Sequence, residues 1–290
     1  MRPHFEDALN RGMLIFDGAM GTMLMAAGSV TGTCGEELNM SAPDVVREVH
    51  NAYVAAGADV VETNSFGGSR IKLEKSHLGH LTREINLAAA KIAREAAGED
   101  VFVAGSVGPL GEFLEPLGRL SSQEAVDAFK EQSLALAEGG VDMIIIETMS
   151  DLQEVHAAVQ GVREGPDLPV VATMTFEKRL HTVMGVSPAR AALSLGEWGV
   201  SVMGSNCGTG PEEMLAVISQ MKEASPEGRF LVQPNAGRPR LTAGGEVVYD
   251  MTSARFAEYA VQFVELGVNI VGGCCGTTPE YIRAIVQELR

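Results

Sequence analysis

Three of the four cysteines stand where their thiols can bind one metal ion. Cys274 and Cys275 are adjacent and flanked by glycines, which let the backbone turn so that both sulfurs converge. An ordinary disulfide between them is the poorer interpretation, because a trans peptide holds neighbouring Cα atoms about 3.8 Å apart and a disulfide needs roughly 4.4 Å. Cys207 stands in a similar context, followed by Gly-Thr-Gly-Pro. Three sulfurs with an open fourth position are typical of a catalytic zinc site rather than a structural one.

The elements that must position these cysteines follow from a regular alternation of short apolar runs and helical segments. Strands are predicted near residues 14–16, 60–62, 101–104, 143–146, 170–173, 202–204, 230–232 and 270–272. Helices are predicted around residues 44–56, 81–97, 122–138, 152–162, 188–198, 211–224, 252–266 and 279–289. Eight βα units in about 250 residues predict an α/β fold, a single (β/α)8 TIM barrel. A doubly wound sheet is the alternative, but no Gly-x-Gly-x-x-Gly segment opens the first helix.

Polar residues occupy nearly every predicted carboxyl end of a strand, which is the functional end of such a barrel. They are Asp17, Glu62, Thr63, Asn64, Ser106, Glu147, Thr148, Thr173, Asn206, Gln233 and Asn235, together with the three cysteines. Cys207 follows the sixth strand and the cysteine pair follows the eighth, so closure of the barrel brings the three thiols together. A single cysteine is more often a small buried apolar residue, but three at equivalent strand ends favour a shared site.

No interior stretch has the composition of a linker, so residues 1–290 are predicted to form one domain. The longest loops are predicted at 22–41, 65–80 and 105–121, after the first three strands, and we expect substrate contacts to concentrate there. No role is assigned to Cys34. The histidines complete no metal site, and His50 and His156 are predicted on helix surfaces.

Several motifs resemble those of the homocysteine S-methyltransferase family, from about residue 14 to the C-terminus. They are Gly-Gly-Cys-Cys-Gly-Thr-Thr-Pro at 272–279, Asn-Cys-Gly at 206–208, Asp-Gly-Ala-Met-Gly-Thr at 17–22, Glu-Thr-Asn-Ser-Phe at 62–66 and Glu-Thr-Met-Ser-Asp at 147–151. Residues 108–118 are most similar to the homocysteine-binding domain of cobalamin-dependent methionine synthase.

The resemblance implies zinc-dependent methyl transfer to the thiol of homocysteine, giving methionine, with Cys207, Cys274 and Cys275 as the metal ligands. A free alkyl thiol with a pKa near 8.5 is only a few per cent thiolate at neutral pH, and the thiolate is the nucleophile. Because binding to zinc removes the thiol proton, methyl transfer then needs no general base.

The resemblance also implies roles for residues that hold the amino acid. Glu147 is expected to accept the ammonium, and backbone N–H groups beginning at Asp17 and Gly18 are expected to approach the carboxylate, with Asn64 and Thr148 as further substrate-binding candidates. The alternatives are an ion pair at the barrel mouth for Glu147 and a turn or helix cap for Asp17.

Asn235 is the candidate catalytic residue, because it can occupy the fourth zinc position and leave when the thiol arrives. The alternative is an ordinary loop asparagine that bonds its own backbone.

The methyl donor is expected to come from outside the chain. The last predicted helix ends near residue 289, and no Asp-x-His-x-x-Gly cobalamin loop is present. The resemblance therefore favours methylcobalamin, delivered by a separate corrinoid protein or by cobalamin and folate domains missing from this sequence. The alternatives are a stand-alone enzyme that uses S-methylmethionine or betaine, a non-catalytic subunit that binds homocysteine or zinc, and a metal-free redox protein that uses the adjacent cysteines.

Composition excludes several other classes of protein. A formal net charge of −16 argues against nucleic acid and against an anionic membrane surface. No apolar run approaches the length of a membrane span, and the N-terminus carries acidic residues where a signal peptide needs apolar ones. Four cysteines are too few for a disulfide scaffold, so a reducing, cytoplasmic location is expected.

Overall fold

The computed structural model describes residues 4–29, 34–177, 179–242 and 247–290. Eight parallel strands alternate with helices. These strands are β1 (Leu14–Ile15), β2 (Val60–Glu62), β3 (Phe102–Val107), β4 (Met143–Met149), β5 (Val170–Met174), β6 (Val202–Asn206), β7 (Phe230–Gln233) and β10 (Ile270–Val271). Between β7 and β10 the chain adds a separate antiparallel pair, β8 (Pro239–Leu241) and β9 (Val247–Tyr249).

The parallel strands close into a barrel. Each pairs with its neighbour in the order β1, β10, β7, β6, β5, β4, β3, β2. A parallel bridge between Phe16 and Val60 joins the two ends, with Asp59 N–H donating to Ile15 O at 2.7 Å and Asp17 N–H donating to Val60 O at 3.0 Å. The predicted (β/α)8 barrel is therefore confirmed.

The outer helices begin and end within one residue of their predicted bounds. They are α4 (Pro43–Ala56), α6 (Thr82–Ala97), α7 (Ser122–Glu138), α8 (Leu152–Arg163), α9 (Pro188–Glu197), α10 (Pro211–Ala224), α11 (Ser253–Glu265) and α12 (Pro279–Leu289). Four of them start with proline, which loses no hydrogen bond at the first helical position. No helix among the described residues is long and apolar enough to cross a membrane.

A short N-terminal helix, α1 (Phe5–Arg11), closes the amino-terminal end of the barrel. Phe5, Ala8 and Leu9 are buried in one apolar cluster with inward-facing strand residues such as Phe102, whose ring meets that of Phe5 edge to face at 5.9 Å. Burial of large side chains such as those of Phe5 and Leu9 contributes about 1.5–3 kcal/mol each. With this end filled by apolar side chains, the polar groups of the barrel interior gather at its carboxyl end.

Two of the three predicted loops contain helices. The first includes α2 (Met20–Ala26), a 3-10 turn at Gly35–Glu37 and α3 (Leu38–Ser41), while residues 30–33 lie outside the described part of the chain. The second includes α5 (Arg70–Glu74) and a 3-10 turn at Gly79–Leu81. The apolar repeats in these two segments are too short for the sequence to distinguish a helix from a loop.

The prediction for His50 was wrong. This residue lies on α4 but is fully buried, and neither ring nitrogen has a hydrogen-bond partner. Burial lowers its pKa to about 4, so the imidazole is neutral at physiological pH. His156 is exposed as predicted and stacks on Trp198.

Candidate metal centre and amino-acid site

The three predicted thiols meet at the carboxyl end of the barrel. Cys275 Sγ lies 3.8 Å from Cys207 Sγ and 3.9 Å from Cys274 Sγ, and all three sulfurs lie within 4.8 Å of one another. A tetrahedral zinc ion with bonds of about 2.3 Å separates its sulfur ligands by about 3.8 Å. The sulfur spacing therefore fits one zinc ion. No other group of three His, Cys, Asp or Glu side chains in the described residues offers such a cluster.

A left-handed turn positions Cys207 directly after β6. Its φ is +56° and that of Gly208 is +68°. The conformation is uncommon for a residue with a Cβ, and residues held in it cluster at functional sites. Cys207 N–H donates to Gln233 O at 3.0 Å, which ties the turn to β7. A Cβ at Gly208 would lie 2.5 Å from Phe176 O, so glycine is required there.

The turn that carries the cysteine pair is fastened on two sides. Cys274 N–H donates to Pro234 O at 2.8 Å, and Ala236 N–H donates to Cys275 O at 2.9 Å. Cys274 O also accepts from the hydroxyl of Thr277 at 2.6 Å. These bonds fix both thiols relative to the loop after β7.

Hydrogen bonds inside the cluster set its charge. Those from Cys207 and Cys274 lower the pKa of Cys275 to about 3. Hydrogen bonds with Cys207 and Cys275, followed by burial, raise the pKa of Cys274 well above its usual range. Without a metal ion, the cluster therefore contains one thiolate that accepts hydrogen bonds from two thiols. A cation that binds all three sulfurs displaces the remaining protons.

Glu147 lies next to the cysteines, at the end of β4. Its carboxylate accepts from Ser106 Oγ at 2.5 Å and from Asn206 Nδ2 at 3.0 Å, and it is 8% exposed. Burial is the main cause that raises its pKa to about 7, and the hydrogen bond from Ser106 lowers the pKa by a smaller amount. Thr148, which follows, has a φ of +60°, and its N–H donates to Asn206 Oδ1 at 2.8 Å, so Asn206 contacts both predicted substrate residues.

Two further carboxyl groups lie beside Glu147. Asp17 is 1% exposed; its Oδ2 accepts from Glu62 N–H at 3.0 Å, while its Oδ1 has no partner. The Glu62 side chain is partly buried, and its Oε1 accepts from Gln233 Nε2 at 2.8 Å, a bond that crosses the barrel. Burial is the first cause that raises the pKa of both Asp17 and Glu62, and the charge of Glu147 adds to it.

Gly18 and Asn64 shape the rim of the site. A Cβ at Gly18 would lie 2.7 Å from Thr277 Oγ1 and 2.9 Å from the hydroxyl oxygen of Tyr53, so only glycine fits. The neighbouring N–H, that of Ala19, donates to Thr277 Oγ1 at 3.2 Å. Asn64 donates through Nδ2 to Gly35 O at 2.8 Å and thereby holds the loop after β1.

Asn235 is 4% exposed and lies in the loop after β7, directly after Pro234, which bonds Cys274. Its N–H donates to Thr209 O at 3.1 Å, but its side-chain Oδ1 is buried without a hydrogen-bond partner. A buried acceptor left unpaired is costly, which points to a donor or a cation supplied by a ligand. The alternative of a loop asparagine whose side chain bonds its own backbone is not favoured by this geometry.

Sequence reasoning assigned no role to Ser106, Asn206, Glu62 and Gln233. All four stand at predicted strand ends, so the signal was present. What the sequence did not indicate was which of these side chains contact one another across the barrel.

Fold and site together define a class, the (β/α)8-barrel proteins with three clustered cysteines at the barrel mouth. The sequence matches the family described as homocysteine S-methyltransferase over residues 14–289. It is 36% identical over 303 aligned residues to the methionine synthase of Mycobacterium tuberculosis and 35% identical to that of Mycobacterium leprae. Each alignment covers 98% of this chain and 25% of the relative, so the chain spans about a quarter of their length.

Solved structures show the same fold. The oxidized form of the homocysteine methyltransferase MmuM from Escherichia coli superposes with a TM-score of 0.81 at 24% identity, covering 95% of both chains. Its metallated form gives 0.78, covering 96% of this chain and 97% of that one. The chain belongs to the homocysteine S-methyltransferase family.

Proposed function

We propose that this protein transfers a methyl group to the thiol of homocysteine, giving methionine, and that zinc is required. The observation that carries the proposal is the cluster of three sulfurs next to buried carboxyl groups. The sulfurs offer a soft-metal site with room for a fourth, substrate sulfur, and the carboxyl groups offer acceptors for an amino acid's ammonium. Membership of the family supports the same reaction.

The residues present fit zinc, since three thiolates at this spacing are its preferred tetrahedral donors. Cys207, Cys274 and Cys275 would hold it. Zinc bound there would lower the pKa of the substrate thiol, so that the nucleophilic thiolate would be present at neutral pH. In the absence of substrate, Asn235 would offer its unpartnered Oδ1 as a fourth ligand.

The chain's own residues orient the amino-acid end of the substrate. Glu147 binds the ammonium, and the Gly18 segment receives the carboxylate on backbone N–H groups other than those of Asp17 and Ala19, which bond Val60 O and Thr277 Oγ1. Thr148 lies beside Glu147 and limits where the substrate chain can run. Asn64 contributes indirectly through the loop that it holds.

For the donor we propose methylcobalamin carried by a separate corrinoid protein or by further domains of a longer chain. The similarity to methionine synthases over a quarter of their length supports this. A stand-alone enzyme that uses S-methylmethionine or betaine is the second candidate, and the structural likeness to MmuM along its whole chain favours it. We further propose one domain over residues 1–290 and a reducing, cytoplasmic location that keeps the four free cysteines as thiols.

The test is a screen of methyl donors with purified, zinc-loaded protein and homocysteine, with methionine as the measured product. We expect slow methylation by free methylcobalamin, none by methyltetrahydrofolate alone, and little with S-methylmethionine or betaine. Robust turnover with either of the last two, and none with methylcobalamin, would assign the chain to the stand-alone enzymes. A protein that binds zinc and homocysteine but accepts no donor would indicate a non-catalytic subunit.

A further inference from the structure

We propose that Glu62, held by Gln233, determines specificity for a positively charged amine in the substrate. This inference rests on the proposed function, because it concerns the amino-acid end of the homocysteine site. Glu62 would supply the substrate ammonium with a hydrogen-bond acceptor in addition to those of Glu147.

Glu147 has little accepting capacity left. Its Oε1 accepts from Ser106, and its Oε2 accepts from Asn206 and, at 3.4 Å, from Thr148. An ammonium group brings three N–H donors. Most of the acceptors for those donors must therefore come from other residues.

Neighbouring oxygens supply that capacity. Asp17 Oδ1 and Gln233 Oε1 are both buried without hydrogen-bond partners, and Asp17 and Gln233 are 1% and 2% exposed. Glu62 Oε1 has one donor, Gln233 Nε2, at 2.8 Å. Asp17 and Gln233 thus each present an acceptor with no donor, and Glu62 beside them presents a carboxyl group with one donor. A ligand that offers several N–H donors satisfies them together.

The ligand must also be cationic. None of the ion pairs among the described residues includes Asp17, Glu62 or Glu147. Buried carboxyl groups without a counter-ion are costly, and a bound ammonium relieves that cost.

A metal ion is a poorer occupant than an ammonium. The carboxyl oxygens of Asp17, Glu62 and Glu147 do not all approach within the 4.8 Å that the cysteine sulfurs reach. Calcium and magnesium bind oxygen at about 2.0–2.6 Å and need such close convergence. An ammonium group needs only three acceptors, whereas these ions take six or more oxygen ligands, so the few acceptors at this site suit the amine.

The test compares two thiols that differ only in the amine, homocysteine and 4-mercaptobutanoate. Their affinities for the cobalt(II)-substituted full chain are read from the sulfur-to-cobalt absorption, which requires no methyl donor. Glu62→Gln should weaken homocysteine roughly 10- to 100-fold, the loss of a charge-assisted hydrogen bond, while leaving 4-mercaptobutanoate and metal content unchanged. Gln233→Leu should act in the same direction, and the exposed Glu84→Gln serves as control.

Thermal unfolding separates this role from a structural one. Glu62→Gln removes a partly buried carboxyl group that lacks a counter-ion, so the variant should unfold at a higher temperature while binding homocysteine more weakly. A lower unfolding temperature with both thiols weakened equally would overturn the inference, as would a Glu62→Gln protein that keeps its full preference for homocysteine. In either case the proposed function stands. A wild-type protein that binds homocysteine no better than 4-mercaptobutanoate would overturn both.

Discussion

Replacing Glu147 by glutamine is the most direct test of the amino-acid site. Glutamine keeps the size of the side chain and one acceptor for Ser106 or Asn206, but it removes the charge. The charge-assisted hydrogen bond to an ammonium is worth about 1.5–3 kcal/mol, which corresponds to a roughly 10- to 150-fold weaker affinity for homocysteine. Zinc content should stay unchanged, because Glu147 is not among the clustered ligands.

The pH dependence makes the prediction for Glu147 sharper. Burial raises its pKa to about 7, so the carboxyl group is ionised above that pH and neutral below it. Its contribution to homocysteine binding is therefore present above pH 7 and lost as the pH falls, by about tenfold per pH unit. The Glu147→Gln variant should lack this dependence. Because the thiol also releases a proton on binding, each affinity is divided by that of 4-mercaptobutanoate at the same pH.

The same shift affects stability in the opposite sense. The folded pKa of about 7 lies above the ordinary 4.5, so folding is penalised once the unfolded carboxyl group ionises, and stability falls as the pH rises from about 4.5 to above 7. The full penalty is on the order of 3 kcal/mol. Urea unfolding at pH 8 should therefore find Glu147→Gln more stable than the wild type, with a smaller difference at pH 5.

Two results would refute this reasoning about Glu147. One is an unchanged homocysteine affinity at pH 8, which would move the ammonium site elsewhere. The other is a ratio of the two thiol affinities that follows the same pH curve in wild type and variant. Glu84→Gln, an exposed glutamate on α6, controls for the substitution itself.

Two further predictions concern the metal and a second buried acid. We predict one zinc ion per chain by atomic emission, lost when any of the three clustered cysteines is replaced by alanine and kept in Cys34→Ala. Full zinc content in one of the cluster variants would show that its cysteine is not a ligand. Glu154 is 6% exposed, accepts the Leu110 N–H at 2.8 Å, and has a pKa raised to about 7 by burial. Glu154→Gln should therefore raise the free energy of unfolding at pH 8 and change it little at pH 5, as urea titrations will show.

The barrel was predictable because its signals are local. Each βα unit carries its own apolar strand and amphipathic helix, so eight repeats fix the architecture without knowledge of any contact. Strand β4 was predicted to end at residue 146 but continues to Met149, since Glu147 and Thr148 look like loop by composition. The pairing with β5 is irregular between Ile146 and Met149, where Thr148 has a φ of +60°, and composition does not indicate such an irregularity.

The elements that the sequence did not indicate depend on tertiary contacts. Helix α1 has only seven residues, and it is stabilised by Phe5 and Leu9, which pack into the amino-terminal end of the barrel. The β8–β9 pair is short, but it packs closely against the turn after the cysteine pair. A Cβ added to Gly276 would lie 2.3 Å from the ring of Tyr249. Neither packing partner can be inferred from neighbouring residues in the chain.

The candidate site likewise contains residues that the sequence predicted and contacts that it did not predict. The cysteines, Asp17 and Glu147 were predicted from residue type at a strand end and from motif resemblance. The pairing of Glu62 with Gln233 joins the ends of β2 and β7, which β1 and β10 separate around the barrel, so it depends on barrel diameter and side-chain reach. Strand-end position identifies which residues face the mouth, and only the three-dimensional structure shows which acceptors remain unpaired.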